Sequence, residues 1–137
     1  MRRQAVKYLL DTNICIFLLK DAYGVKDRLD EVGRERCFIS DITLAELYFG
    51  AAYSGRMEEK MKEVDFIGRY FKVLPVHGAL RTFGEVKAHL QREGRLIDDF
   101  DLLIGATAVV NGLVMVTDNV RHLGRIPGLR IENWVER

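Results

Sequence analysis

The chain has 137 residues, 48% hydrophobic and 30% charged, and its 21 basic and 20 acidic side chains leave a net charge of +1. This composition predicts one ordinary-sized domain, residues 1–137, with a real core, and excludes intrinsic disorder. It also excludes a strongly basic coat for nucleic acid, while leaving room for a local basic groove.

The opening MRRQAVKYLLDTN carries basic residues and then an apolar run too short for a secretory leader. No stretch approaches the roughly 20 apolar residues of a membrane span. VKYLLD (6–11) reads as a short buried strand ending in an acid. TNICIFLLK reads as a helix, with Thr12 or Asn13 as its expected cap. VKDRLDEVG is a second helix stopped by Gly33. RCFIS (36–40) is a strand, DITLAELYFGAAY (41–53) a helix, and EEKMKEVDFIGRYF its helical partner. KVLPV (72–76) makes a third strand, with Pro75 near its end where the missing N–H does least harm. ALRTFGEVKAHLQREG (79–94) and FDLLIGATAVVNG (100–112) are helices, each stopped near a glycine. LVMVTD (113–118) is a strand that also ends in an acid, and LRIENW (129–134) is the last strand.

Strands alternating with helices predict βαβ units and a mainly parallel sheet covered on both faces. Sites in such sheets lie beyond the carboxyl ends of the strands, where Asp11 and Asp118 both fall. Glu46 lies on its helix near Ile42, Ala45, Phe49 and Ala52, which share a face by helical spacing. An ionised carboxylate there needs a partner, and a salt bridge to a lysine or arginine is the bland one. Asp101 shares a face with Ile104, Gly105 and Ala108, whose small members leave room beside it. The bland reading of Asp101 is an acid in a first turn, favoured by the helix dipole, with Asp98 or Asp99 as the cap proper. Asp11 and Asp118 can each be helix caps. Taken together, four acids delivered to one sheet edge would repel one another and raise their own pKa values. A divalent cation resolves that conflict, and an oxygen-only donor set suits Mg²⁺ or Mn²⁺. Such an ion at a phosphodiester can acidify a water and neutralise charge on the phosphate.

Other chemistry finds less support. His77, His89 and His122 have no partner at a nearby spacing. His122 with Arg121 and Arg125 reads as a phosphate-contact patch or as solvated surface. Cys15 and Cys37 show no metal or redox spacing and read as reduced, buried thiols of a cytoplasmic protein. No glycine-rich phosphate loop is present. A phosphoryl-acceptor regulator would need a lysine after a later strand, and LVMVTD and KVLPV offer none.

LLDTNI (9–14), ISDITLAEL (39–47), DLLIGATA (101–108) and VTDNVRHLGRIPGLRIENW (116–134) together resemble PIN-domain ribonucleases, and more closely VapC-type toxins of toxin–antitoxin pairs. The resemblance runs from about residue 7 to 134. It implies a compact three-layer α/β/α sandwich and a metal-dependent endoribonuclease. It implies that Asp11, Glu46 and Asp101 hold Mg²⁺ or Mn²⁺, with Thr12, Asn13 and Thr117 in support. At the fourth catalytic position the family register points to Asn119, whereas strand-end logic points to Asp118, and both stand as candidates. The family often carries a Gly-Pro-like pair before the third acid, where this chain has Asp98 and Asp99. The resemblance further implies a homodimer and a cognate VapB-like antitoxin whose tail blocks the acidic site. The implied substrate is a structured RNA, commonly a transfer RNA. The alternative is a catalytically silent PIN-like module that binds RNA or protein. Such modules lose core acids, and this chain keeps all three.

Overall fold

The structure is a computed structural model and describes residues 5–137. Residues 1–4, part of the basic start weighed above as a leader, lie outside the described residues. Strand β1 (Tyr8–Leu10) leads to helices α1 (Thr12–Lys20) and α2 (Val25–Val32), then β2 (Cys37–Ser40), α3 (Asp41–Tyr53) and α4 (Met57–Tyr70). Then come β3 (Lys72–Leu74), α5 (Leu80–Arg92), α6 (Asp99–Val110), β4 (Val114–Val116), α7 (Val120–Leu123) and β5 (Ile131–Glu132). Among the described residues the strands form one parallel sheet in the order β3-β2-β1-β4-β5.

Side chains on a strand alternate between faces, and here the alternation fills two cores. Tyr8, Leu10, Ile39 and Val116 join one core with α1, α2 and α4. Leu9 and Met115 join the other with Ile104 and Ala108 of α6, and with Leu123. The result is the expected three-layer α/β/α sandwich. A strand buried on both faces carries no polar alternation, so β1 and β4 read as continuous apolar runs.

Each predicted strand and helix has a counterpart, but four local expectations change. The cap of α1 is Asp11, not Thr12 or Asn13: its carboxylate accepts the Thr12 N–H at 2.8 Å. The last strand shrinks to Ile131–Glu132, and the short α7 joins the list. On α3 the buried stripe is Thr43, Leu47 and Ala51, while Ala45, Phe49 and Ala52 face outward. The helix is apolar nearly all round, so periodicity alone could not choose the face. Gly105 is small for another reason than room beside Asp101. A Cβ there would stand 2.4 Å from the Cδ1 of Ile126, so the glycine seats the segment after α7 on α6.

Candidate active site

The register of β1 and β4 builds the site. Leu10 pairs with Val116, so the next residues of the two strands, Asp11 and Thr117, lie side by side. The Asp11 N–H continues the ladder to the Val116 carbonyl at 2.9 Å. Thr117 is fully buried and donates its hydroxyl to Asp11 Oδ2 at 2.7 Å. Its oxygen also accepts the Asn119 N–H at 2.9 Å, which turns the chain toward α7. Asp11 is itself buried, and burial pushes its carboxyl above the ordinary range, while the bonds from Thr117 and Thr12 pull it partly back.

Helix α1 starts at Asp11 and presents Thr12 to α3. The Thr12 hydroxyl donates to Glu46 Oε1 at 2.7 Å and lies 3.2 Å from the hydroxyl of buried Thr43. Thr43 is one turn before Glu46, so a single helix face carries both. Burial raises the Glu46 carboxyl; the Thr12 bond opposes this, and the charges of Asp11 and Asp98 add to it. Asp98 caps α6 by accepting the Phe100 N–H at 2.9 Å. Asp99 leans away to Lys87, at 2.9 Å. Asp101, in the first turn of α6, accepts a long 3.4 Å bond from the Asn119 side chain. Burial, then Asp11, Asp98 and Glu46, hold the Asp101 carboxyl up at about 6, against an ordinary 3.8.

The salt bridge of the bland reading for Glu46 does not materialise. Among the described residues, no lysine, arginine or histidine forms an ion pair with Asp11, Glu46 or Asp101. Nor, among the described residues, do three acidic, histidine or cysteine side chains already close into an ion cage. The cluster is therefore an open set of oxygen donors whose negative charges burden one another. That donor chemistry fits a hard divalent cation that keeps several of its waters.

Asp118 stands apart from the cluster. Both its oxygens take the Arg137 guanidinium, at 2.9 and 2.7 Å, and Asn133 adds a bond at 3.2 Å. Arg137 holds its carboxyl below the ordinary range. The reason is the strand alternation: one residue past Thr117, the side chain points to the other face. Asn119, two past Thr117, returns to the site. Asn13 is exposed on the first turn of α1, and among the described residues no hydrogen bond ties its side chain to the acids. The suspected phosphate patch also divides. Arg125 donates to the carbonyls of Arg95 and Leu96, at 3.3 and 3.2 Å, and so pins the segment that leads into the acidic cap of α6. Arg121 and His122 remain exposed. Cys15 is buried and its thiol is pushed far up, and Cys37 rises to about 12, so neither is a nucleophile. The sequence reading missed Thr43, Arg125 as a pin, and Arg137; only Thr43 had a signal, its spacing of three from Glu46.

The PIN domain family model matches residues 8–129. The chain belongs to the PIN-domain family. The PIN-domain chain is 39% identical over 134 residues to a protein named ribonuclease VapC2 from Haemophilus influenzae, covering 95% of this chain and 99% of the relative. It is 37% identical to the tRNA(fMet)-specific endonuclease VapC of Shigella flexneri, over 94% of this chain and 98% of that one. Its fold matches a chain in the crystal structure of DNA-bound VapBC from Salmonella typhimurium, with a TM-score of 0.88 and 37% identity, covering 94% of this chain and 98% of that one. A VapBC2 complex from Rickettsia felis, bound to a promoter DNA fragment, matches at a TM-score of 0.87 and 30% identity, covering 94% of this chain and 99% of that one.

Proposed function

We propose that this PIN-domain chain is a metal-dependent endoribonuclease, the toxin of a toxin–antitoxin pair, and that one domain spans its length. The observation that carries the reading is the unpaired acid trio: Asp11, Glu46 and Asp101 come from a strand end and two helices, share one edge, and have no basic partner among the described residues. Burial and mutual repulsion make this arrangement costly unless a cation joins it.

Asp11, Glu46 and Asp101 would hold Mg²⁺ or Mn²⁺. When bound, such an ion supplies a more acidic water and charge neutralisation at the phosphate. The chain's own residues do the rest. Thr117 and the Thr12 N–H orient the two oxygens of Asp11. Thr12 orients Glu46, and Asn119 fills the fourth position by donating to Asp101. Asp118 lends its charge to the Arg137 pair instead. The two cores hold the backbone of all four segments, so the acids meet on rigid elements.

The substrate class is structured RNA, as in the relatives named for transfer RNA. The partner is an antitoxin, as in the VapBC complexes this fold matches. An apolar groove of about 220 Å³ between α1, α3 and α4, lined by Ile16, Leu19, Leu47, Ala51 and Val64, opens beside Glu46 and offers a partner segment a seat next to the acids. The active unit is a homodimer in the cytoplasm; no helix among the described residues is long and apolar enough to cross a membrane.

The test is cleavage of a mixed pool of transfer and ribosomal RNA by the purified chain with Mg²⁺ or Mn²⁺, beside an EDTA control and Asp101→Asn. Discrete cuts that need both metal and Asp101 are expected. Cutting that survives EDTA and the substitution would sink the assignment. A folded, antitoxin-free chain that cuts nothing would favour the silent binding module.

A further inference from the structure

Two aromatic side chains on α3 have no role in the fold. Phe49 is 70% exposed and Tyr53 84%, and neither belongs to either core. Their neighbour Tyr48 does pack on the core, so the helix had an aromatic position facing inward and still placed two more in solvent. The two rings are nearly parallel, 20° apart, with centroids 6.0 Å from each other. They therefore present one preformed aromatic surface.

That surface continues the side of α3 that carries Glu46. At about 100° per residue, Phe49 and Tyr53 sit one and two turns beyond Glu46, roughly 60° and 20° around α3 from it. Leu47 and Ala51, which line the apolar groove, turn to the other side of Glu46. Ala45 and Ala52 beside the rings are small and exposed, and a Cβ on Gly50 would meet nothing within 4 Å. Both flanks of the stack are open.

We propose that Phe49 and Tyr53 form a stacking platform for an unpaired RNA base next to the phosphate cut at the acids. The proposal rests on the ribonuclease reading of the site. An RNA phosphodiester beside Glu46 must carry its flanking bases somewhere. Sequence-selective RNA recognition splays bases out of loops and stacks them on aromatic rings. The acids repel the RNA backbone, so an uncharged π surface beside them supplies holding energy without adding charge to the metal site. Exposed aromatic rings one and two turns from the reacting edge match that need. The chemistry fits a base better than a phosphate, since Arg56, the cation nearest in sequence, is tied to Glu59.

The experiment uses the full chain and an initiator transfer RNA transcript as probe. Phe49→Ala and Tyr53→Ala are compared with Phe49→Tyr and Tyr53→Trp. Alanine on an exposed helix face is well tolerated, so all four variants should fold. Binding is measured in an Asp101→Asn background, cleavage in the native background, and molecular mass by sedimentation. Each alanine variant is expected to weaken binding and raise KM by roughly tenfold, with kcat near native, as loss of one base stack predicts. The aromatic replacements should retain native affinity, and the mass should not change. Unchanged RNA affinity in both alanine variants would overturn the platform. So would a fall in mass that accounts for the loss, which would assign the rings to a second copy of the chain. If the native chain neither binds nor cuts the transcript or any RNA of the mixed pool, the ribonuclease reading fails and the platform with it; normal cutting with indifferent alanine variants removes the platform alone.

Discussion

The ends of β1 and β4 look alike in sequence and diverge in structure. Both are apolar strands that run parallel, side by side, to the same edge of the sheet, and an acid follows each. Asp11 follows β1 directly, is buried, and receives the Thr117 hydroxyl and the Thr12 N–H. Asp118 follows β4 one residue later and is clasped by Arg137 at the rim. A shift of one residue along a strand reverses the face. It separates an acid without a cationic partner, driven up in pKa, from an acid with one, driven down. Position at a strand end is thus insufficient to bring an acid into the cluster; the pairing register and the available counter-charge decide.

The largest expected effect tests the β1 side. Asp11→Asn and Asp101→Asn should each lower RNA cleavage by roughly a thousandfold, the scale of losing a main electrostatic contributor. Single-turnover cleavage at saturating Mn²⁺ measures this. A loss of tenfold or less in Asp11→Asn would erase the contrast between the two strand ends.

Next comes the hydroxyl that joins the two ends. Thr117→Val keeps the shape and removes the donor to Asp11 Oδ2. A residue that orients a metal-binding side chain is worth about 10–100-fold in metal affinity or activity. Mn²⁺ titration by calorimetry should show the affinity loss, and cleavage should fall with it. The same substitution leaves a buried carboxylate oxygen short of a partner and should destabilise the fold by about 1–3 kcal/mol.

A smaller effect separates neighbours in sequence. Asn119→Ala should cost roughly tenfold in cleavage, because it removes the donor facing Asp101. Asp118→Asn should stay within about twofold of native, since an ion pair at the rim contributes little. The ratio of these two rates is the measurement. If Asp118→Asn proved the more damaging, strand-end logic would win over register.

The fold was legible because its signals are local and repeated. Buried parallel strands leave short apolar runs such as YLL and VMV, and glycines or caps mark the helix ends. The candidate acids Asp11, Glu46 and Asp101, which the structure brings close enough that Asp11 raises the pKa of the other two, stood out because each is a charge set against apolar surroundings. What escaped were properties of register and of distant contacts. The face of α3 could not be chosen when Ile42, Leu47, Phe49 and Ala51 are all apolar. Asp118 could not be told from Asn119 without knowing that Leu10 pairs with Val116. Arg137 reaches Asp118 from 19 residues away, and Arg125 reaches back 30 residues to Arg95, and no local pattern announces either.

The least dramatic prediction concerns stability and needs no RNA. Asp101 ionises at about 6 in the folded chain and near 3.8 when unfolded. Between those values the folded state holds a proton that the unfolded state has released. Stability therefore falls as pH rises through this window, and above it the full penalty remains. Asparagine resembles the neutral carboxyl and avoids the penalty. In EDTA, Asp101→Asn and the native chain should melt alike below about pH 4, with the variant pulling ahead through the window. The gap at pH 7 should be about 1 kcal/mol, well under the full shift because Asp101 is only half-buried and water screens it. Added Mn²⁺ should close or reverse the gap, since a cation that binds only the folded native site stabilises it by mass action. The rim offers the opposite sign. Arg137 lowers the Asp118 carboxyl, so Asp118→Asn should lose stability above the ordinary carboxylate range and show no benefit at neutral pH. Thermal melts of the two variants across pH 3–8 would thus move apart in opposite directions. Equal behaviour at both acids would mean that Asp101, on α6 in the acidic cluster, carries no unmet charge, and with it the reason for a cation there would go.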